Sequence, residues 1–127
     1  MKKFKIGVVV RRLDREFSRL IKLRDKKCQR CGREDGTLQC SHVYPKGTYR
    51  SMRWEPDNAK LLCYRCHLWW HLNPVLAADW LREYLGVTKV NLLRDASQIT
   101  QLVDRMFLLN IEIKLKEFES ELTAEAT

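Results

Sequence analysis

Apolar positions in the first quarter of the chain fall at helical spacing. Phe17, Leu20 and Ile21, joined by Leu13 and Arg24, line one face, and basic residues fill the other. This predicts a helix from Leu13 to Lys26. Gly32 and Gly36 then mark turns. The period changes after them. Leu38 to Val43 predicts a strand, Pro45-Lys46-Gly47 a loop, Arg50 to Glu55 a short extended piece, Pro56-Asp57 a turn, and Ala59 to Leu62 a second short strand. Tyr64 to Leu72 predicts a helix. Asn73 before Pro74 reads as an N-cap with proline at the first helical position, opening a helix over Val75 to Leu85 that Gly86 ends. Ser97 is placed to cap a last helix, whose Ile99, Leu102, Met106, Leu109 and Ile113 recur at alternating steps of three and four. That stripe is expected to pack on the core rather than form a dimer seam, so a monomer is expected. Thr123 to Thr127 reads as a frayed tail.

These elements describe an α+β protein, one domain in 127 residues. Its parts are a basic segment and helix over 1–27, a central block over 28–72, C-terminal helices over 73–122 and the tail over 123–127. No apolar run is long enough to span a membrane, so no membrane partner is expected. Ile6-Gly7-Val8-Val9-Val10 stops at Arg11-Arg12, too short for a secretory signal, and a cytoplasmic location is expected. Charge is unevenly spread. Residues 1–33 carry thirteen Lys/Arg against three Asp/Glu, whereas residues 72–127 carry six against nine. A concentrated basic block points to a polyanion partner, most simply DNA.

The candidate chemistry lies in the central block. Cys28-Gln29-Arg30-Cys31 and Cys63-Tyr64-Arg65-Cys66 are two Cys-x-x-Cys pairs, and all three histidines, His42, His67 and His71, fall between or just after them. Each pair presents two sulfurs to one ion, and four thiolates close a tetrahedral zinc site. Zinc is expected rather than disulfides, which a cytosolic chain seldom keeps. Cys40 is left over and reads as a small buried strand residue. His67 and His71 are four apart on the Tyr64–Leu72 helix, so both project from one face as metal ligands do. Since the cysteines already satisfy zinc, these histidines are expected to form a separate site. His42 stands at the end of the first strand. Asn58 precedes the second, where its amide is placed to lock the loop near His42 without adding charge.

The order His42, Asn58, His67 resembles the HNH nuclease motif, a ββα-metal fold. The strings Cys40-Ser41-His42, Arg53-Trp54-Glu55-Pro56-Asp57-Asn58 and Leu62-Cys63-Tyr64-Arg65-Cys66-His67 are similar to the four-cysteine HNH endonucleases of phages and prophages. The Arg-aromatic-x-x-Asp-Asn piece and the sixteen-residue step from His42 to Asn58 resemble phage recombination nucleases of the NinG/Rap type. Leu13-Asp14 and Ile21-Lys22-Leu23-Arg24-Asp25 extend the likeness upstream, so that it covers about residues 13 to 86.

The resemblance implies a ββα-metal core stapled by structural zinc on Cys28, Cys31, Cys63 and Cys66, flanked by an N-terminal helix and C-terminal helices. It implies a phage or prophage DNA endonuclease in a bacterial host, acting in recombination or packaging. His42 matches the general base, Asn58 the residue that holds the base and its loop, and His67 the metal-binding position. His71 matches a further ligand of a catalytic divalent metal (Mg2+, Mn2+ or another transition metal). Ser41 departs from the pattern, since many family members carry Asp or His there as a ligand. A non-catalytic zinc module that binds DNA or a protein is therefore the alternative.

Around this core, Arg53 and Arg50 are candidates for the scissile phosphate, because a guanidinium matches its geometry. For both arginines the competing expectation is a surface ion pair with Glu55 or Asp57. Arg15, Arg19 and Lys22 are candidates for backbone phosphates. Trp54, Trp69, Trp70 and Trp80 read mainly as core residues.

Overall fold

The structure is a computed structural model and describes residues 3–125. Helix α1 spans Ile6–Asp25, starting ahead of the expected Leu13 because Val9 and Val10 also pack at the edge of the core. Strands β1 (Leu38–His42) and β2 (Ala59–Cys63) pair antiparallel, with Leu38 opposite Cys63 and His42 opposite Ala59. The connection between them is not extended. Arg50–Met52 and Pro56–Asn58 are 3₁₀ turns. With no third strand among the described residues to pair with, this backbone satisfies itself locally, as in Met52 N to Tyr49 O (3.1 Å) and Asn58 N to Glu55 O (2.9 Å). Helix α2 (Tyr64–Leu72) follows β2 without a break, completing a strand–loop–strand–helix unit.

Three helices follow: α3 (Pro74–Leu85), α4 (Val87–Ser97) and α5 (Arg105–Glu125). The sequence pattern missed α4, whose periodicity is weak and which buries only Leu93. Ser97 therefore ends α4, its Oγ donating to Arg94 O, and does not cap α5. Asp104 does, accepting from Phe107 N at 2.9 Å. Asn73 likewise makes no side-chain cap; its Nδ2 reaches back to Trp69 O. Thr123 to Glu125, expected to fray, continue α5, and the last two residues of the expected tail lie outside the described residues.

The small sheet is packed on both faces. On one, Ala59 and Leu61 meet Leu13, Phe17, Leu20 and Ile21 of α1, with Trp54 and with Leu108, Ile111 and Leu115 of α5. On the other, Leu62 joins the cysteines, Trp70 and Trp80. Helices α1 and α5 run side by side in the same direction, tied by Arg12–Glu112 and Arg19–Glu119. This pairing overturns the expected core stripe of the last helix. Leu102, Met106, Leu109 and Ile113 are exposed, and the face with Leu108, Ile111 and Leu115 is buried instead. The helix carries two apolar faces, and the partner helix selects one. No helix among the described residues is long and apolar enough to cross a membrane.

Candidate functional site

The four knuckle cysteines converge. Their Sγ atoms all lie within 4.8 Å of one another, and Cys31 and Cys63 are 3.6 Å apart. Four sulfurs at about 2.3 Å from one ion stand at similar mutual distances, so the cluster fits tetrahedral zinc. Local backbone builds it. Gly32, at φ 80°, makes the reversal that brings its N–H to Cys28 O (2.9 Å). Gln29 N donates to Leu61 O, fastening this knuckle to β2. Cys63 ends β2 and Cys66 lies in the first turn of α2. Burial raises the thiol of Cys28, but backbone N–H groups at Cys31, Cys63 and Arg30 outweigh it and bring the pKa down to about 6. Burial pushes Cys66 up to about 12, with its sulfur neighbours acting the same way. Full ionisation of the set needs a cation at its centre. Cys40 stands apart in β1, half-buried, with its thiol raised by burial.

His42 closes β1 with its ring 5.7 Å from Phe17. Its Nε2 is 2.9 Å from Arg53 O. A carbonyl only accepts, so Nε2 carries the proton and Nδ1 is the basic nitrogen. Burial lowers the pKa below the ordinary histidine value, against the bond to Arg53 O, which raises it; the charges of Lys46 and Lys60 add to the lowering. The ring is therefore neutral at pH 7. Asn58 is fully buried and holds the loop, not the ring. Its Oδ1 accepts from Tyr44 N (2.9 Å), and its Nδ2 donates to Tyr44 O (3.1 Å) and Met52 O (3.0 Å). The loop carrying Arg53 O is thus fixed under His42.

On α2, the Nε2 atoms of His67 and His71 stand 3.1 Å apart, the bite of two imidazoles on one small cation. His67 Nδ1 is buried without a hydrogen-bond partner among the described residues. Burial first, then the neighbouring His71 and Lys60, lower the pKa of His67, which favours the neutral ring. Ser41 lies opposite Lys60 in the sheet and is buried. Lys60 Nζ is 3.4 Å from Ser41 Oγ and 3.5 Å from the centre of the Trp70 ring. Burial drags its pKa down to about 7. Sequence reasoning missed Lys60 altogether. The one available signal was a lysine in a strand whose every other residue is apolar.

Residues 28–71 match the HNH endonuclease family model. The match runs from the first zinc-site cysteine to the second α2 histidine and takes in β1, the loop and β2. Searches of curated proteins and of solved structures found no match to this chain.

The basic residues divide into two groups around the HNH segment. Arg53 does not pair with Glu55 or Asp57, and it does not point freely to solvent. Its Nε and Nη2 meet Asp14 of α1 at 3.0 and 2.6 Å, beside Trp54 Nε1, which donates to the same carboxylate. Arg19 is held by Glu16 and Glu119. Arg50, Arg15 and Lys22 are exposed. Arg24 and Asp25 join α1 to β2: Arg24 donates to Pro56 O and Ala59 O, and Asp25 accepts from Leu61 N. Trp54 is core, Trp70 packs edge-on against Trp80, and Trp69 lies under the Arg30 guanidinium at 3.5 Å. A cleft of about 450 Å³ opens beside His71, and Tyr44, Trp70, Arg82 and Arg94 are among the residues that line it.

Proposed function

We propose that this chain is a metal-dependent HNH endonuclease that hydrolyses phosphodiester bonds in DNA. The observation that carries the reading is the hydrogen bond from His42 Nε2 to Arg53 O, which leaves Nδ1 as a neutral, correctly tautomeric base. His42 Nδ1 takes a proton from a water whose oxygen attacks phosphorus. The bond from phosphorus to the 3′ oxygen breaks, and that oxygen leaves with the bonding electron pair and takes its proton from solvent water. Asn58 keeps the loop beneath His42 rigid, so the base does not drift from its line of attack. His67 and His71 are the ligands for a divalent ion. That ion, when bound, supplies positive charge to the phosphoryl and leaving oxygens. Two imidazole ligands, with no carboxylate at Ser41, suit a transition metal better than Mg2+. Arg50, Arg15 and Lys22 carry backbone phosphates. Branched or nicked DNA of a phage recombination or packaging step, in a bacterial cytoplasm, is the first substrate class to try.

A second reading, a zinc-stapled binding module without catalysis, is favoured by one feature. Ser41 is buried and bonded to an ammonium where a metal-binding carboxylate would serve the reaction. Relaxation of supercoiled plasmid, with and without Ni2+, Mn2+, Co2+ or Mg2+, separates the two. Metal-dependent nicking that His42→Ala abolishes is the expected result. DNA binding with no cleavage under any of these ions favours the module.

A further inference from the structure

The cleft beside His71 has a composition that phosphate contacts alone do not require. A volume of about 450 Å³ is that of a small-molecule site rather than of a duplex-tracking surface. Its walls are rigid. Tyr44 has both its backbone N–H and C=O tied to Asn58, and its ring meets Tyr49 edge-on at 5.1 Å. Trp70 is held between Lys60 on its face and Trp80 at 6.2 Å. The base of the cleft, around Ala77 and Leu81, is apolar and buried. The lining also carries two exposed guanidinium groups, Arg82 and Arg94. Among the described residues each is hydrogen-bonded only to an exposed neighbour three residues away, Asp79 and Asn91, and such pairs are weak enough for a phosphate to displace. An apolar, aromatic-walled slot with cations at its mouth has the chemistry of a nucleotide site: the base enters flat and the rim holds its phosphate.

We propose that this cleft binds one unpaired nucleotide next to the scissile phosphate, so that the substrate class is DNA with a single-stranded, gapped or bulged segment. The inference rests on the nuclease reading for the location of the scissile phosphate. A paired base reaches the slot only after unpairing and unstacking, whereas a base already unpaired enters without that penalty. The neighbouring His71 links occupancy of the slot to the position of the phosphate at the metal ligands.

The test uses full-length protein and DNA carrying 2-aminopurine at the gap, at a bulge or within an intact duplex of the same sequence. Binding is measured with the His42→Ala protein, so that no cleavage intervenes. Affinity for gapped or bulged DNA is expected to exceed that for duplex by tenfold or more, with the probe quenched on binding. Arg82→Ala/Arg94→Ala and, separately, Ala78→Phe at the exposed lip are expected to remove that preference while leaving duplex affinity and zinc content unchanged. Equal affinity for gapped and duplex DNA, or a preference that survives both variants, overturns the proposal. Absence of cleavage by the wild-type protein on every substrate counts against the nuclease reading alone, because the binding comparison judges the cleft independently.

Discussion

The ammonium of Lys60 lies against the face of Trp70, 3.5 Å from the ring centre, in a residue only 1 % exposed. Its sole hydrogen-bond partner among the described residues is Ser41 Oγ, at 3.4 Å. A buried cation with one hydroxyl and one ring for company is a destabilising feature, offset only in part by the cation–π contact. Lys60 ordinarily titrates near 10.5 and in the fold near 7. Between those values the unfolded chain binds the extra proton, so folding stability rises with pH from about 7 to 10.5, and the penalty is complete below 7. Lys60→Met is therefore expected to stabilise the protein by roughly 1–3 kcal/mol at pH 6. The gain should shrink as pH approaches 10. Denaturant titration of both proteins across that range measures it, and a gain independent of pH contradicts the assignment.

The zinc site should decide whether the domain folds at all. Structural zinc contributes on the order of 10 kcal/mol, comparable to the whole stability of a domain this size. Serine at Cys28, Cys31, Cys63 or Cys66 is expected to give unfolded or aggregating protein, and Cys40→Ser protein that melts within a few degrees of wild type. Metal analysis of folded protein should return one tightly held zinc per chain.

His42→Ala should abolish cleavage while DNA affinity, zinc content and melting temperature stay close to wild type, since the base acts only in the chemical step. Because burial lowers the pKa of His42, the acid limb of the single-turnover rate at saturating metal should have its midpoint below that of an ordinary histidine. His67→Ala should also lose cleavage, through metal binding, which isothermal titration reads directly.

Asp14 receives Arg53 through two hydrogen bonds and Trp54 through a third, all from the loop that supplies Arg53 O to His42. Asp14→Ala leaves a half-buried guanidinium unpaired and should cost roughly 3 kcal/mol of stability. Activity should fall with it, because the His42 tether moves. Thermal melts and cleavage rates of Asp14→Ala and Asp14→Asn test the coupling, and unchanged values in both would remove Asp14 from the site's framework.

Arg15 and Lys22 are exposed on α1, whereas Arg19 is spent on Glu16 and Glu119. Arg15→Glu/Lys22→Glu should weaken DNA binding across sequences and reduce the slope of log K against log salt by about 2. Arg19→Glu alone should act mainly on stability, through α5. A salt slope untouched by the double variant would move the DNA footprint off α1.

Local features were legible in the amino-acid pattern. Two Cys-x-x-Cys pairs specify a four-sulfur cluster because the knuckle is closed by residues only three apart. His67 and His71 share a face because helical periodicity requires it. Both strands and α2 were legible within about a residue, since their apolar patterns and flanking turns are local signals. What the tertiary structure decided were the choices between competing partners. Helix α5 carries two apolar faces, and only its docking on α1 selects Leu108, Ile111 and Leu115 over Met106, Leu109 and Ile113. Arg53 had carboxylates at Glu55 and Asp57 close in sequence, yet the fold gives it Asp14, thirty-nine residues away. Lys60 became a buried cation only because Trp70 and Ser41 close over it from separate elements. A charge's partner and a helix's buried face depend on which distant surface arrives beside them, and a one-dimensional pattern does not carry that distance.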